Sequence, residues 1–405
     1  MRTVAVVGTS LAGLRAIETL RREGYDGRIV AIGGEAHLPY DRPPLSKELL
    51  AGRSEPDDIR LRKQGVDDLE VDWMLGTRAT ALDVSARELT LANDERVAFD
   101  GVVLATGSTP RLLPNQPALA TEDGMDGLFV LRTLDDALAL RTALEAGPKV
   151  VVIGAGFIGA EVAATCRERG LDVTVLEALP QPMVRGLGPE LGAVIADMHR
   201  DHGVDLRTGV GVEAIEGDGR VEHVRLADGG LIAADVVVVG VGVVPDTAWL
   251  EGSGLTVENG VVCDETCLAA PGVVAAGDVA RFPNRLFDGE MMRLEHWTNA
   301  TEQGVHAAQR LLAGDAGTDL AFAPVPFVWS DQYDRKIQTV GRVSADADLH
   351  VAHGSYAERQ FVALFGRDGR IVGALGFNRA RQVMQYRRLI AERASWETAL
   401  ELASA

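Results

Sequence analysis

Residues 150–177 read VVVIGAGFIGAEVAATCRERGLDVTVLE, and this stretch decides the fold. A run of β-branched residues leads into a glycine motif at 154–159, a helical pattern follows, and a second apolar run ends at Glu177. Glycines in such a turn let the backbone approach a pyrophosphate at a helix N-terminus. The sequence therefore predicts a nucleotide-binding unit with strands over 150–153 and 172–176 and a helix over 157–169. The expected nucleotide contacts are Gly154, Gly156, Phe157, Ile158, Gly159 and Glu161.

Glu177 bears on the choice of nucleotide. A carboxylate at the end of the second strand accepts hydrogen bonds from a ribose 2′-hydroxyl and repels a 2′-phosphate, which favours NADH over NADPH. Arg185 lies where an arginine is the usual phosphate partner, and its alternative interpretation is a surface arginine. Glu161 has the plain interpretation of complementing the helix dipole. Gly242, in the turn after a buried strand predicted over 234–240, completes the expected NAD site.

The same order of elements occurs at the N-terminus. Strands are predicted over 4–7 and 28–32, with a helix over 11–22 between them, and the glycine turn has serine in place of its middle glycine. Two glycines follow the second strand before Glu35, which is therefore the candidate for ribose binding, with a solvated turn charge as its alternative. The expected contacts in the turn are Gly8, Ser10, Ala12 and Gly13.

The whole chain predicts an α/β fold with two Rossmann-like units and a small C-terminal α+β domain. Residues 1–112 and 239–318 are assigned to the first unit, 113–238 to the second and 319–405 to the C-terminal domain. Further buried strands are expected over 101–105 and 273–276, and a hairpin over 88–100. After about residue 320 the pattern predicts antiparallel strands over 361–365 and 371–377 and a helix over 380–392.

Composition excludes several classes of function. The chain has 405 residues and a formal charge of −19, so its field repels a polyanion and nucleic acid is not an expected partner. The three cysteines cannot form a disulfide framework, and they lack the further ligands of a zinc site, so no metal is expected. No apolar run is long enough to span a membrane, which predicts a soluble cytoplasmic protein.

A stiff loop over 41–47, with sequence DRPPLSK, runs into a short helix. Its prolines fix the backbone, and Ser46 is expected to cap the helix N-terminus. One interpretation is an ordinary surface loop. The functional interpretation places the Lys47 ammonium beside an electron-rich ring system, where it stabilises developing negative charge.

The ordered set of motifs resembles the ferredoxin reductases of bacterial monooxygenase and dioxygenase systems, within the flavoproteins that have two dinucleotide-binding domains. The resemblance covers essentially the whole chain. Besides the two glycine turns it rests on Tyr40-Asp-Arg-Pro-Pro-Leu-Ser-Lys47, Ala105-Thr-Gly107, Leu131-Arg-Thr-Leu134, Ala276-Gly-Asp278 and Trp329-Ser-Asp-Gln332.

This resemblance implies FAD and NADH as cofactors. Nicotinamide is then expected to pass hydride to flavin N5, with Lys47 and Glu161 near the transfer site, and the electrons to leave singly for a [2Fe-2S] ferredoxin. Asp278 is expected to bond the ribityl chain. The family's usual acidic residue after the second strand falls on Gly34, which leaves the ribose to Glu35 or to backbone. The resemblance assigns to FAD, besides the first glycine turn, Glu35, Arg42, Pro44, Lys47, Ala79, Ala105, Thr106, Gly107, Arg132, Gly277, Asp278, Glu295, His296 and Trp297.

The ferredoxins of such systems are usually acidic, and this chain is negatively charged overall. Docking therefore needs a local positive surface on the chain. The basic C-terminal helix offers one, and a solvated basic face is its alternative interpretation. Trp329 is either a residue near the electron exit or an ordinary core tryptophan. The protein is expected to be a monomer or a weak dimer. The candidate docking arginines are Arg379, Arg381, Arg387, Arg388 and Arg393.

Two other functions share the fold. A disulfide reductase or thiol-based NADH oxidase needs a redox cysteine facing the flavin, and no cysteine precedes Cys166. A redox-sensitive interaction module like apoptosis-inducing factor is favoured by a basic charge or a targeting segment, and neither occurs in the sequence.

Overall fold

The computed structural model describes residues 1–122 and 124–404, and it leaves the side chains of Glu122 and Arg185 outside that description. The chain folds into two compact units, each assembled from separate segments. The first unit contains residues 1–41, 60–109 and 244–328, and the second contains 42–59, 110–243 and the segment that begins at Trp329.

The first unit is built on a mainly parallel sheet. Leu268–Ala270 runs antiparallel to its neighbour, and the remaining neighbours in this sheet are parallel. The helices Leu11–Arg22 and Trp297–Ala313 pack together against the sheet and bury residues such as Leu14 and Leu311. In spatial order the strands are Leu268–Ala270, Val273–Ala275, Gly101–Leu104, Thr3–Val7, Arg28–Gly33 and Val71–Leu75.

The second unit is built on a parallel sheet. The run Lys149–Ile153 lies at its centre, and its β-branched side chains are buried because both faces of the sheet are covered. The helices of this region are Leu134–Ala143, Phe157–Glu168, Val184–Leu187 and Pro189–Asp201. In spatial order the strands are Asp205–Thr208, Asp172–Glu177, Lys149–Ile153, Val236–Val239 and Leu128–Phe129.

Short antiparallel strands accompany both main sheets. The predicted hairpin occurs, and Asp94 occupies the left-handed region in its turn, with φ of 65°. In the first unit one such sheet contains the strands Ala79–Asp83, Glu88–Leu91 and Arg96–Ala98. Another contains Ala280–Asn284 and Glu290–Met292, and Val261–Val262 runs parallel to Ala280–Asn284. In the second unit they are Val212–Glu216, His223–Leu226 and Leu231–Ala233. Ser108–Pro110 and Val243–Pro245 form a two-stranded ribbon.

The C-terminal region is an antiparallel sheet with two helices. The helix Pro189–Asp201 packs Leu191, Ile195 and Met198 against apolar side chains of this sheet, including Phe361 and Phe377. This burial explains why the C-terminal sheet groups with the second unit. In spatial order the strands are Phe327–Gln332, Arg335–Gly341, Arg370–Phe377, Gln360–Arg367 and Asp348–Ser355, and the helices are Ala380–Ala391 and Trp396–Ser404.

Both predicted strand–helix–strand units occur, with ends that differ from the prediction by one residue. The predicted helix over 157–169 ends at Glu168, and the predicted strand over 172–176 extends to Glu177. The assignment of 1–112 with 239–318, 113–238 and 319–405 to three functional domains remains a prediction, since the compact units divide the chain by packing alone.

Candidate functional site

The N-terminal glycine turn brings backbones into close contact. Gly8 has φ of 105°, and a Cβ added there would lie 2.1 Å from the carbonyl oxygen of Ala105. A Cβ at Gly13 would lie 1.9 Å from the carbonyl oxygen of Gly8, so both positions require glycine. The helix Leu11–Arg22 begins directly after Ser10, and its first-turn N–H groups lack intrahelical partners. The turn therefore offers backbone donors to an anion.

Further expected residues of the first site lie on neighbouring elements of the same unit. Ser108 Oγ donates to an Asp278 carboxylate oxygen across 2.8 Å, and Thr106 Oγ1 donates to the backbone carbonyl of Asp246 across 2.9 Å. The N–H of Gly277 donates to Gln303 Oε1 at 2.9 Å, so this donor already has a partner inside the fold. Gln303 was not predicted from the sequence, and it is fully buried.

The segment Glu295-His-Trp297 enters the helix Trp297–Ala313. Trp297 Nε1 donates to Asp41 Oδ1 across 2.7 Å, and Glu295 pairs with Arg293 at 2.6 Å. Burial lowers the pKa of His296 to about 4, so the imidazole is neutral near pH 7. Its Nδ1 is a buried atom without a hydrogen-bond partner in the described part of the chain, and a cofactor polar atom would satisfy it.

Glu35 and Gly34 follow the strand Arg28–Gly33. The Tyr40 hydroxyl donates to Glu35 at 2.5 Å, so Glu35 is more than a solvated turn charge. A Cβ at Gly34 would lie 2.9 Å from Cγ of Arg78, whose side chain therefore occupies the space that a larger residue would need. Arg78 was not predicted, and Ala79 begins the strand Ala79–Asp83 directly after it.

The second glycine turn repeats the geometry of the first. Gly154 has φ of 101°, a Cβ there would lie 2.4 Å from the carbonyl oxygen of Gly240, and a Cβ at Gly159 would lie 2.1 Å from that of Gly154. Gly156 differs, because among the described residues no atom outside its own chain neighbours lies within 4 Å of its added Cβ. Phe157 and Ile158 begin the helix beside this space, and Ile158 is exposed. Open space at a helix N-terminus fits a pyrophosphate.

Glu177 is held beside the same turn. Its Oε2 accepts from the N–H of Ala155 at 2.8 Å, and its Oε1 accepts from the N–H of Leu179 at 2.8 Å. A carboxylate oxygen accepts more than one hydrogen bond, so lone pairs remain for a ribose hydroxyl. The turn after Val236–Val239 contains Gly242, with φ of 103° and open space at its Cβ position. The Arg185 side chain lies outside the described residues.

Glu161 and Lys47 form a buried ion pair. Lys47 Nζ lies 2.9 Å from Glu161 Oε2, and the relative exposures of the two residues are 9% and 4%. Glu161 also accepts from Ser46 Oγ at 2.5 Å and from Ser330 Oγ at 2.6 Å. Three donors on one carboxylate satisfy a buried charge, so this role goes well beyond complementing the helix dipole.

The prediction that Ser46 caps a helix N-terminus is wrong. Ser46 is the last residue of the short 3₁₀ helix Pro43–Ser46, which contains Pro44, and its hydroxyl is directed to Glu161 instead. Arg42 precedes this helix and donates to the backbone carbonyl of Arg132. The two adjacent prolines explain the tight turn. The local sequence does not predict that the Ser46 hydroxyl donates to Glu161, which lies far away in the chain.

The cysteines are unsuited to redox chemistry. Cys166, Cys263 and Cys267 are buried free thiols. Burial raises the pKa of Cys166 and of Cys267 to about 12, and that of Cys263 is also raised well above its ordinary value. A thiol that stays protonated is a poor nucleophile, which disfavours the disulfide-reductase alternative.

The C-terminal helix Ala380–Ala391 presents arginines on its outer face and buries Val383, Tyr386 and Ile390. Arg381, Arg388 and Arg393 are exposed, and Arg379 and Arg387 are partly buried. Trp329 is partly buried. Within the described residues, no helix combines the length and apolar character that a membrane crossing requires.

The chain belongs to the pyridine nucleotide-disulphide oxidoreductase family, whose model matches residues 2–304, and residues 327–403 match the reductase C-terminal domain. A ferredoxin reductase subunit of 5,5′-dehydrodivanillate O-demethylase from Sphingobium sp. is 39% identical over 96% of this chain and 92% of its own. Rhodocoxin reductase from Rhodococcus erythropolis is 37% identical over 96% and 89%.

A crystal structure of the covalent putidaredoxin reductase–putidaredoxin complex contains a chain that matches with a TM-score of 0.90 and 33% identity, over 97% of this chain and 93% of that one. These comparisons confirm the predicted family, the α/β fold class with its C-terminal domain, and the oxidoreductase class. Membership of this family implies FAD and a pyridine nucleotide as cofactors, as the sequence predicts.

Proposed function

We propose that this chain is an NADH-dependent, FAD-containing ferredoxin reductase that supplies single electrons to a [2Fe-2S] ferredoxin of an oxygenase system, either a cytochrome P450 or a ring-hydroxylating dioxygenase. The observation that carries the proposal is the pair of glycine turns, each with glycines that no other residue can replace, in a chain whose relatives include a protein named as a ferredoxin reductase subunit. A thiol-dependent reaction is disfavoured because the cysteines are buried and protonated.

The residues of the first unit fit an FAD site. The turn at Gly8–Gly13 supplies backbone donors for a pyrophosphate, and Glu35 follows the second strand. The buried Nδ1 of His296 lacks a partner among the described residues and could bond to a polar atom of FAD. When bound, FAD accepts hydride from NADH and passes the electrons on singly. We assign the further flavin contacts to Ala12, Ala79, Ala105, Thr106, Gly107, Gly277, Asp278, Glu295 and Trp297.

The residues of the second unit fit the nicotinamide nucleotide. We assign its pyrophosphate to the turn at Gly154–Gly159, its ribose to Glu177, and its nicotinamide end to Phe157, Ile158 and Gly242, with Arg185 beside the adenosine end. We assign Lys47 and Glu161 to the reaction centre because Lys47 belongs to the motif at 41–47 and Glu161 is its partner. Buried and paired, Lys47 is a fixed positive charge in a region with little water, where its effect on neighbouring charge is larger than in solvent. Arg42, Pro44 and Arg132 hold the loop that carries it.

The proposal is tested by cytochrome c reduction with NADH and a panel of purified [2Fe-2S] ferredoxins. At least one ferredoxin is expected to increase the rate severalfold over enzyme alone. If no ferredoxin raises the rate, the proposal that a ferredoxin accepts the electrons is wrong. If the purified protein binds no flavin, the proposal that FAD is the cofactor is wrong.

Glu177→Gln is expected to raise the KM for NADH about tenfold and to narrow the preference over NADPH, since the neutral amide no longer repels a 2′-phosphate. Steady-state kinetics with both nucleotides measure the two ratios. Glu216→Gln, on the strand Val212–Glu216 of the same unit, is the matched control and should change neither ratio. An unaltered preference in Glu177→Gln removes this residue from the ribose site.

We assign ferredoxin docking to the basic face of the helix Ala380–Ala391 and the arginines that flank it, together with Trp329. The arginines are Arg379, Arg381, Arg387, Arg388 and Arg393. Reversing charge in Arg387→Glu/Arg388→Glu is expected to weaken ferredoxin-dependent reduction at least about tenfold at low salt without slowing ferricyanide reduction. Arg96→Glu/Arg207→Glu carries the same change of charge on exposed strands and should leave both assays unchanged. Equal losses in the two assays of the helix variant rule out docking.

A further inference from the structure

A continuous line of hydrogen bonds leads from the second carboxylate oxygen of Glu161. Ser330 Oγ donates to Glu161 Oε1 at 2.6 Å, and Gln332 Nε2 donates to Ser330 Oγ at 3.1 Å. Gln332 Oε1 lies 3.0 Å from His199 Nε2, and His199 Nδ1 lies 3.0 Å from the Tyr333 hydroxyl. The line joins the helix that bears Glu161, the strand Phe327–Gln332 and the helix Pro189–Asp201.

The inner members of this line are removed from solvent. Ser330 and Gln332 are 0% exposed, and His199 is 3% exposed. Buried polar groups are costly unless each has a hydrogen-bond partner, and apolar residues could fill the same volume. The line therefore needs an explanation beyond packing.

The chemistry of the groups fixes the direction of every bond. A carboxylate only accepts, so the single Ser330 proton goes to Glu161, and Ser330 must accept from the Gln332 amide NH₂. Gln332 then turns its carbonyl oxygen to His199, which must carry its proton on Nε2. His199 Nδ1 is left as an acceptor for the Tyr333 hydroxyl.

The state of His199 fits this direction. Burial lowers the pKa of His199 to about 4, so the ring is neutral and has one N–H and one acceptor nitrogen. The His202 ring stacks on the Tyr333 ring with 3.7 Å between their centroids. Its Nδ1 is hydrogen-bonded to the backbone carbonyl of Met198, so His202 is not a member of the line.

We propose that Ser330, Gln332 and His199 are positioning residues, a line of donors all directed at Glu161 that holds the Glu161 carboxylate, and with it the Lys47 ammonium, in place. The direction of the line stands on geometry alone, whereas its effect on the flavin rests on the proposed function.

The first test is the tautomer of His199 in the FAD-loaded protein, by nitrogen-15 NMR of histidine-labelled material at neutral pH. The His199→Phe variant assigns the signal. The expected result is a neutral ring protonated on Nε2. A ring protonated on Nδ1, or on both nitrogens, overturns the proposal whether or not the chain reduces a ferredoxin.

The second test interrupts the line in two places. Gln332→Met keeps the length of the side chain without its donor, and Ser330→Ala removes the hydroxyl. Each is expected to slow flavin reduction by NADH about tenfold with the Kd for NADH unchanged, since Ser330→Ala removes a hydrogen bond to the Glu161 carboxylate and Gln332→Met removes the donor that orients the Ser330 hydroxyl. The flavin midpoint potential should become more negative, by about 30 mV for a tenfold change in a two-electron equilibrium.

His202→Phe is the matched control, because it keeps the stacking on Tyr333 and leaves the line intact. It should change neither the rate nor the potential. Unchanged rate and potential in both Gln332→Met and Ser330→Ala overturn the proposal. Failure of every ferredoxin to accept electrons from the wild-type chain would instead refute the proposed function and leave the tautomer result standing.

Discussion

Glu161→Leu is expected to destabilise the protein by about 3 kcal/mol or more and to slow flavin reduction by NADH at least about 100-fold. The substitution leaves the Lys47 ammonium without its anion and removes the carboxylate that accepts from the Ser46 and Ser330 hydroxyls. Removing one partner of a buried pair is costly because the remaining charge stays desolvated. Urea denaturation gives the free energy of unfolding, and stopped-flow absorbance gives the rate of flavin reduction.

Glu168→Leu on the same helix is the matched control. Glu168 pairs with Arg53 at 3.2 Å, and this pair is largely solvent-exposed. Its loss should cost less than about 1 kcal/mol and leave reduction unchanged. Equal effects of the two substitutions would show that Glu161 is an ordinary helix residue.

The double variant Lys47→Met/Glu161→Leu separates stability from chemistry. Replacing both partners of a buried pair with apolar residues restores much of the stability that a single replacement loses. Reduction should remain slow, because the fixed positive charge is absent. Recovery of both properties would remove Lys47 from the reaction centre.

The sequence predicted the two strand–helix–strand units because their apolar periodicity is strong and their glycines mark the turns. Lys149–Ile153 is a run buried on both faces, and Phe157–Glu168 has small residues where the helix meets the sheet. The packing of Pro189–Asp201 on the C-terminal sheet was not predicted. Periodicity shows which face of a helix is buried, but not which element covers it.

The candidate site residues that the sequence predicts are those that fall in a local motif. The glycines, Glu177 and Lys47 fall in such motifs. Ser330, Gln332 and His199 were not predicted as partners of Glu161, because the bonds join segments far apart in the chain. A weak signal existed, since Ser330 and Gln332 occupy alternate positions of a strand and so point to the same face.

The two glycine turns differ at their middle position. Ser10 precedes the helix Leu11–Arg22, whereas Gly156 precedes Phe157–Glu168. A small polar side chain is therefore compatible with this position of the fold, and a test of ligand space at Gly156 requires a branched apolar residue.

Gly156→Val is expected to raise the Kd for NADH about 100-fold while FAD content stays unchanged. The backbone of Gly156 has φ of −76°, which valine can adopt, and its Cβ points into open space, so the folded protein should lose only about 1 kcal/mol from the weaker helix cap. The side chain would fill the volume assigned to the pyrophosphate. Calorimetric titration of the FAD-loaded protein measures the affinity.

Gly154→Ala is the contrasting variant, because its Cβ would lie 2.4 Å from the carbonyl oxygen of Gly240 at a φ of 101°. It should lose about 3 kcal/mol of stability through strain and displaced backbone. Gly156→Val therefore separates loss of the ligand from loss of the fold, whereas Gly154→Ala combines them. Wild-type NADH affinity in a folded Gly156→Val protein would mean that the pyrophosphate does not lie at this helix N-terminus.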